Sequence, residues 1–269
     1  MNVENIVKVM NFHALLRVNA AREKIELAHQ YEKELKYVIS SIINNRIFKQ
    51  EKISLDLTTG DKELNIYIGS DLGFCANFNA DVMKYLKADD SKNDKIIIGK
   101  KLYCNAENVI LTITKEDFVP KFDEVYNKIL SGIFKKSYSK VNIIYIHYYN
   151  ISKQKIIKRT ILPFDYGLDE LDKDEKRSMK AEEDYVVEGD LEYIIWDLIV
   201  TYVSTEIKIA EAWSWASENV QRQVFTNSSL HKIEEKNEIK IREKRKEKRN
   251  KEFKSIIELN NKKPKNEGD

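Results

Sequence analysis

The sequence predicts an α/β protein in which a long antiparallel coiled coil, built from the N- and C-terminal helices, carries a small Rossmann-like α/β domain. Three observations predict it. No Pro or Gly interrupts residues 190–259, and Leu191, Ile194, Ile195, Leu198, Tyr202, Thr205, Ile209, Ala212, Ala216 and Asn219 recur there at steps of three and four. Residues 3–48 are also free of Pro and Gly, and Val3, Val7, Met10, Ala14, Val18, Ala21, Ile25, Ala28, Leu35, Val38 and Ile42 fall on one stripe. Between these stretches, short β-rich runs alternate with helical ones, the pattern of a largely parallel sheet.

Taken in order, residues 1–58 form the first shaft helix. At 1.5 Å per residue its helical stretch, 3–48, spans about 70 Å, so it can pair with only part of a C-terminal helix about 100 Å long. Residues 59–165 form the α/β domain. Its strands are expected at 64–68, 95–98, 109–113 and 141–149, its helices at 80–86 and 121–134, and an edge strand at 155–161 ends at Pro163. Residues 166–189 read as an acidic, mobile linker, since 165–192 carries twelve acids against four bases. The second helix occupies 190–260, and a polar tail follows at 261–269. Its second half, 232–254, keeps only Ile233, Ile239, Ile241 and Phe253 as apolar residues among charges. That half cannot bury itself, and something else must support it.

Composition excludes several function classes. With 46 Lys plus Arg against 44 Asp plus Glu, net charge points to no particular partner. Cys75 and Cys104 are the only cysteines; they lack metal-ligand spacing and read as free thiols in a reducing compartment. There is no signal-type apolar region and no run of about 18 apolar residues. The expectation is a cytoplasmic protein that does not span the membrane.

The segment 69–79, Gly-Ser-Asp-Leu-Gly-Phe-Cys-Ala-Asn-Phe-Asn, lies between a predicted strand and a predicted helix, where α/β proteins cradle phosphates. It lacks the Lys-Ser/Thr of a Walker loop and the spacing of a dinucleotide fingerprint, so it reads as a structural turn. Cys75 at a helix start could be a nucleophile. Of the four histidines, His13, His29 and His231 sit on or beside the long helices, leaving only His147, so the thiol reads as packing. Residues 240–254 carry nine bases and three acids. They suit either phosphate contacts or a solvated helix laced by intrahelical pairs. Trp213 and Trp215, two apart, cannot share one seam, so one of them meets another surface.

Three separated stretches resemble the gamma subunit of F-type rotary ATPases, the central shaft of ATP synthase. Glu188-Gly189-Asp190, where the family usually has E-P-D, leads through Tyr202-Val203 to Ala216-Ser217-Glu218 and Arg222. Residues 70–79 are similar to the turn S-D-R-G-L-C-G-G-F-N, and Ile96-Ile97-Ile98-Gly99-Lys100-Lys101 to the strand that follows it. Ile6, Lys8, Met10, Ala14 and Arg17 resemble the N-terminal signature I-T-K-A-M-x-M-V-A-A-x-K. The chain departs from the family at Leu72, where Arg is usual. It departs again at Arg249-Asn250-Lys251-Glu252-Phe253-Lys254, where R-Q-x-x-I-T is usual, in the short N-terminus and in the polar tail.

The resemblance implies a non-catalytic shaft, turned within a hexamer of alpha- and beta-like subunits. Those subunits hold ATP and magnesium, and this chain has no cofactor, metal or catalytic residue of its own. Subunit contacts are implied at Lys8, Met10, Glu218, Arg222, Arg249 and Asn250, and a structural turn at Ser70, Asp71, Gly73, Cys75, Phe78 and Asn79. An epsilon-like subunit and a membrane-associated ring or other cargo are further expected partners, at the cytoplasmic face of the membrane, with no nucleic acid. The short N-terminus and altered tip fit a divergent paralogue in a specialised ATPase, of the kind some wall-less bacteria possess, gliding ones included. A coiled-coil scaffold for unrelated partners and a nucleic-acid binder acting through the basic helix are the competing readings.

Overall fold

A computed structural model of the chain describes residues 3–44, 58–102, 105, 107–164 and 188–261. The proposed continuation of the first helix over 45–48, Cys104, most of the acidic linker and the tail beyond 261 lie outside the described residues. The elements in order are α1 (Val3–Asn44), β1 (Lys62–Ile68), α2 (Phe78–Ala88), β2 (Asp94–Ile98), β3 (Val109–Ile113), α3 (Lys115–Phe118), α4 (Phe122–Phe134), β4 (Tyr138–Asn150), β5 (Lys153–Leu162) and α5 (Leu191–Asn261).

The five strands form one sheet in the order β3-β2-β1-β4-β5. The first four are mutually parallel, and β5 closes one edge antiparallel to β4. Alternation along the strands divides the core. Leu64, Ile66, Ile68, Ile96, Ile98, Ile143 and Tyr145 face α4 and both shaft helices, whereas Tyr67, Ile97, Ile144 and Ile146 face Phe78, Val82 and Leu86 of α2. Helices cover both faces, which explains why β2 is buried at all five residues and ends in three consecutive isoleucines, Ile96, Ile97 and Ile98.

α1 and α5 run antiparallel. Glu4 lies beside Asn237 (3.4 Å), Asn11 beside Thr226 (3.0 Å), and the Lys24 ammonium stands 5.7 Å from the centre of the Trp215 ring. Small buried residues, Ala14, Ala21, Ala212 and Ala216, line the close approach. The stripe on α1 differs from the sequence expectation at three places: Val3 and Val38 are exposed, Ile39 takes the buried place given to Val38, and Glu32 fills the gap between Ala28 and Leu35. The two tryptophans diverge. Trp213 packs on His147 of β4 with ring centres 4.2 Å apart, and Trp215 turns toward α1.

α5 begins at Gly189, whose φ of +113° no Pro can adopt, which accounts for Gly where E-P-D is usual. Asp190 Oδ1 then accepts from the Tyr193 amide at 3.2 Å as the N-cap. At its other end α5 runs past the start of α1. From Glu238 to Asn261 no helix of the described residues lies beside it, a projection of about 36 Å.

Candidate functional site

The turn after β1 lies beside the β1/β4 boundary, the point in a doubly wound sheet where connections leave in opposite directions and ligands commonly bind. Here the chain fills that place itself. Asn79 Oδ1 accepts from the Ser70 amide at 3.0 Å, and Asn79 Nδ2 donates to Ser70 Oγ at 2.8 Å. Asp71 accepts from the amides of Lys100 (2.8 Å) and Glu116 (3.2 Å), tying together the segments that follow β1, β2 and β3. Burial works against ionisation of Asp71, but these amides and that of Lys115 outweigh it and hold the carboxyl below its usual range. Gly99, at φ +120°, passes so close that a Cβ would lie 2.9 Å from the Ser70 nitrogen.

Cys75 is buried among Ser70 Oγ (3.6 Å), Asn79 Nδ2 (3.6 Å) and the Leu72 carbonyl (3.7 Å). Burial pushes its thiol up, which disfavours the thiolate a nucleophile requires. Phe78 is fully buried under the sheet, while Phe74 points outward and packs on Phe225 of α5 with ring centres 5.9 Å apart.

α5 locks onto this turn. Ser217 Oγ donates to the Ile146 carbonyl at the end of β4 (2.9 Å), and Arg222 Nε donates to the Gly73 carbonyl (3.3 Å). The same guanidinium binds Asn219 Oδ1 (3.0 Å) and Glu218 Oε1 (2.6 Å), and Lys115 reaches Glu218 Oε2 (3.1 Å) and Glu211 (3.5 Å). Glu218 and Arg222 are each 4% exposed. Both are engaged in contacts within the chain. An i, i+4 pair can face a partner or its own chain, and the turn at Gly73 lies on the inner side. Lys115 was not singled out from the sequence; Thr114, whose hydroxyl caps α3 at Asp117 (2.9 Å), is the local signal that a helix starts there.

A family model described as ATP synthase matches residues 1–257, and an ATP synthase gamma chain from Wolbachia pipientis (Culex pipiens strain wPip) is 27% identical over 252 residues, covering 87% of this chain and 84% of the relative. The chain belongs to the ATP synthase gamma-chain family. A gamma chain from Clostridium botulinum (strain Hall) is 23% identical over 240 residues, covering 85% and 80% of the two chains. Among solved structures, a chain in the central stalk and c-ring of Tetrahymena thermophila mitochondrial ATP synthase has a TM-score of 0.58 at 18% identity, covering 83% of this chain and 99% of that one. A chain of the Euglena gracilis mitochondrial ATP synthase has a TM-score of 0.50 at 16% identity, covering 94% and 98%. As a gamma-family member the chain is a non-catalytic central shaft, coupling rotation to ATP turnover that occurs in other subunits. No helix among the described residues is long and apolar enough to cross a membrane.

The remaining site residues of this gamma-family chain face outward. Lys8 is exposed and pairs with Glu4 at 2.7 Å, and Met10 borders a groove of about 360 Å³ with His13, Arg17, Leu72, Phe74 and Arg222. Arg249 and Asn250 lie on the projecting part of α5, exposed, with no ion pair or hydrogen bond to any described residue. The fold does not bring the two pairs together. Lys8 lies alongside the region of Leu230, so Arg249 is displaced from it by about 28 Å along the shaft.

Proposed function

We propose that this chain is turned by a ring of alternating alpha- and beta-like subunits, which hold the ATP and magnesium, and that the ring grips α5 beyond Asn237. The projection itself carries the reading. Ile239, Ile241, Phe253, Ile256 and Ile257 are all exposed there on a helix with no companion. Apolar side chains held on a long single helix call for a socket. Arg249 supplies the polar part of the grip. Its planar fork can bind a carboxylate with two parallel bonds, and enclosure by other chains raises such a pair above the roughly 0–1 kcal/mol of an exposed one. Asn250 is shorter than the Gln usual in the family and reaches less far. The opposite end of the shaft, near the start of α5, is the place for an epsilon-like subunit and for the ring or cargo being driven, at the cytoplasmic face of the membrane.

Mass spectrometry of the native complex should find this chain with two nucleotide-binding subunits in excess over it. In assembled complexes at equal nucleotide concentration, Arg249→Ala should lower ATP turnover or torque at least several-fold. Lys251→Ala, two positions on and on the opposite side of the helix, should do less. Wild-type turnover and torque in both variants, with assembly intact, would remove Arg249 from the grip.

A further inference from the structure

Where β5 crosses the paired helices, Arg159 reaches between them. Its Nη2 donates to Glu32 Oε1 of α1 and, at 2.9 Å, to Glu206 Oε1 of α5. Both carboxylates are buried, Glu32 at 2% exposure and Glu206 at 1%. α1 adds His29 Nδ1 (3.1 Å) and Lys36 Nζ (2.9 Å), both on Glu32. β4 adds Tyr145 and His147, and α5 adds Tyr202 one turn before Glu206.

The two carboxylates are not equivalent. Glu32 has Arg159, Lys36 and His29 around it, whereas Glu206 has its share of Arg159 and the neutral Tyr202 hydroxyl. The second oxygen of Glu206, Oε2, is buried and accepts no hydrogen bond from any described residue. As an anion that oxygen is costly to bury; as a hydroxyl it becomes a donor, and the Glu32 carboxylate stands beside it to accept. We propose that Glu32 and Glu206 share one proton, and that this proton clasps α1 to α5 where β5 crosses them.

The electrostatics agree with the geometry. Burial, with Glu32 alongside, pushes Glu206 up to about 7 against the pull of Arg159. Burial also opposes ionisation of Glu32, but Arg159, the Glu206 proton and Lys36 outweigh it and hold Glu32 low. The titration therefore belongs to the pair. Below neutrality the proton bridges the two helices. Above it, two like charges face one guanidinium and the clasp loosens. This inference stands on the chain's own packing and holds whichever complex the shaft serves.

The test uses the full-length chain. Difference infrared spectra between pH 5.5 and pH 8.5 should show the carbonyl stretch of a buried protonated carboxyl disappearing, and Glu206→Gln and Glu32→Gln should each abolish that signal. Corrected for intrinsic base catalysis and taken relative to Glu206→Gln, amide exchange in α1 around Glu32 and in α5 around Glu206 should rise with pH between about 4.5 and 7 by up to about tenfold per unit, the limit for one proton, and level off above 7. Glu206→Gln keeps a donor toward Glu32, so its own corrected exchange should show no such rise with pH. Absence of the carboxyl signal, its persistence in Glu206→Gln, or pH-dependent exchange in that variant equal to wild type would each overturn the shared proton. Persistence would place the proton on a different buried carboxyl.

Discussion

Replacing Arg222 with Met removes the guanidinium that joins the turn after β1 to the shaft while keeping most of the side-chain volume. The loss comprises the 2.6 Å pair with Glu218, the 3.0 Å bond to Asn219 and the 3.3 Å bond to the Gly73 carbonyl. Both partners of the ion pair are 5% exposed in their side chains, so water cannot take the place of Arg222. Breaking a buried pair from one side costs about 3–5 kcal/mol because the remaining charge is stranded. Glu218 is not wholly stranded, since Lys115 remains 3.1 Å away. The expected loss is therefore about 2–4 kcal/mol.

Urea denaturation followed by circular dichroism measures this directly, and a double-mutant cycle with Glu218→Gln isolates the pair. A local readout separates loosening of the turn from general destabilisation. In a Cys104→Ser background the buried Cys75 should label with a thiol reagent at least about tenfold faster in Arg222→Met, the factor that a local opening cheaper by 1.4 kcal/mol would give. Additive single-mutant effects, or a loss below about 1 kcal/mol with unchanged labelling, would mean that the lock seen at Gly73 does not hold the turn.

Ala76 sits at φ 47°, where the family motif has Gly; Ala76→Gly should stabilise the chain by about 0.5–1 kcal/mol in the same urea assay, and destabilisation would show that the left-handed strain is absent. Ala216, fully buried in the helix seam against Ala21 and Val18, has no room for branching; Ala216→Leu should cost about 1–3 kcal/mol and lower the midpoint, whereas a neutral result would show that the seam is loose. Two groups give opposing pH dependences. Burial, helped by Arg159 and His29, holds His147 at about 4 against its ordinary 6.5, so stability present above 6.5 is lost as pH falls toward 4. Glu206 is raised from 4.5 to about 7, so its proton stabilises most below 4.5 and that contribution is lost as pH rises through 7. Wild type should therefore be nearly flat between pH 4.5 and 6.5. His147→Phe should fall with rising pH across that interval and Glu206→Gln should rise; parallel curves for all three proteins would refute both assignments.

The long helices were legible because nothing breaks them and the three-four stripe repeats. What the stripe could not show is instructive at two positions. After Leu35, both Val38 and Ile39 are apolar and both satisfy the spacing; only contact with the sheet chooses Ile39. Glu32 occupies a seam position that a search for apolar residues must skip, and the residue that makes its burial tolerable, Arg159, lies 127 positions away. The turn was legible as a turn from its residues, since Ser70, Asp71 and Asn79 are the types that bond nearby backbone. Its targets were not, because the amides of Lys100 and Glu116 become neighbours only when three parallel strands align. Glu218 and Arg222 were legible as a pair at helical spacing, but spacing leaves open which side of the helix faces inward.

One physical consequence joins these observations. Beyond Asn237 the helix keeps only weak local support, such as Arg242 with Glu238 at 3.5 Å and Lys248 with Glu252 at 3.9 Å. Pairs of that kind contribute about 0.2–0.5 kcal/mol each, and helices without tertiary packing are marginal in water. The projecting stretch thus draws rigidity from the locked turn at one end and, in the complex proposed above, from a surrounding socket at the other. Between Arg222, fixed to Gly73, and Arg249 the helix runs about 40 Å without Pro or Gly. A force applied at Arg249 is carried along one continuous hydrogen-bonded rod to the point where Ser217 and Arg222 grip the sheet. A Pro placed at Ser228, about a quarter of the way along that rod from Arg222, would remove one backbone bond and kink it. It would leave both grips chemically intact and sever only the connection between them, so that ATP turnover would persist while torque on the α/β domain falls.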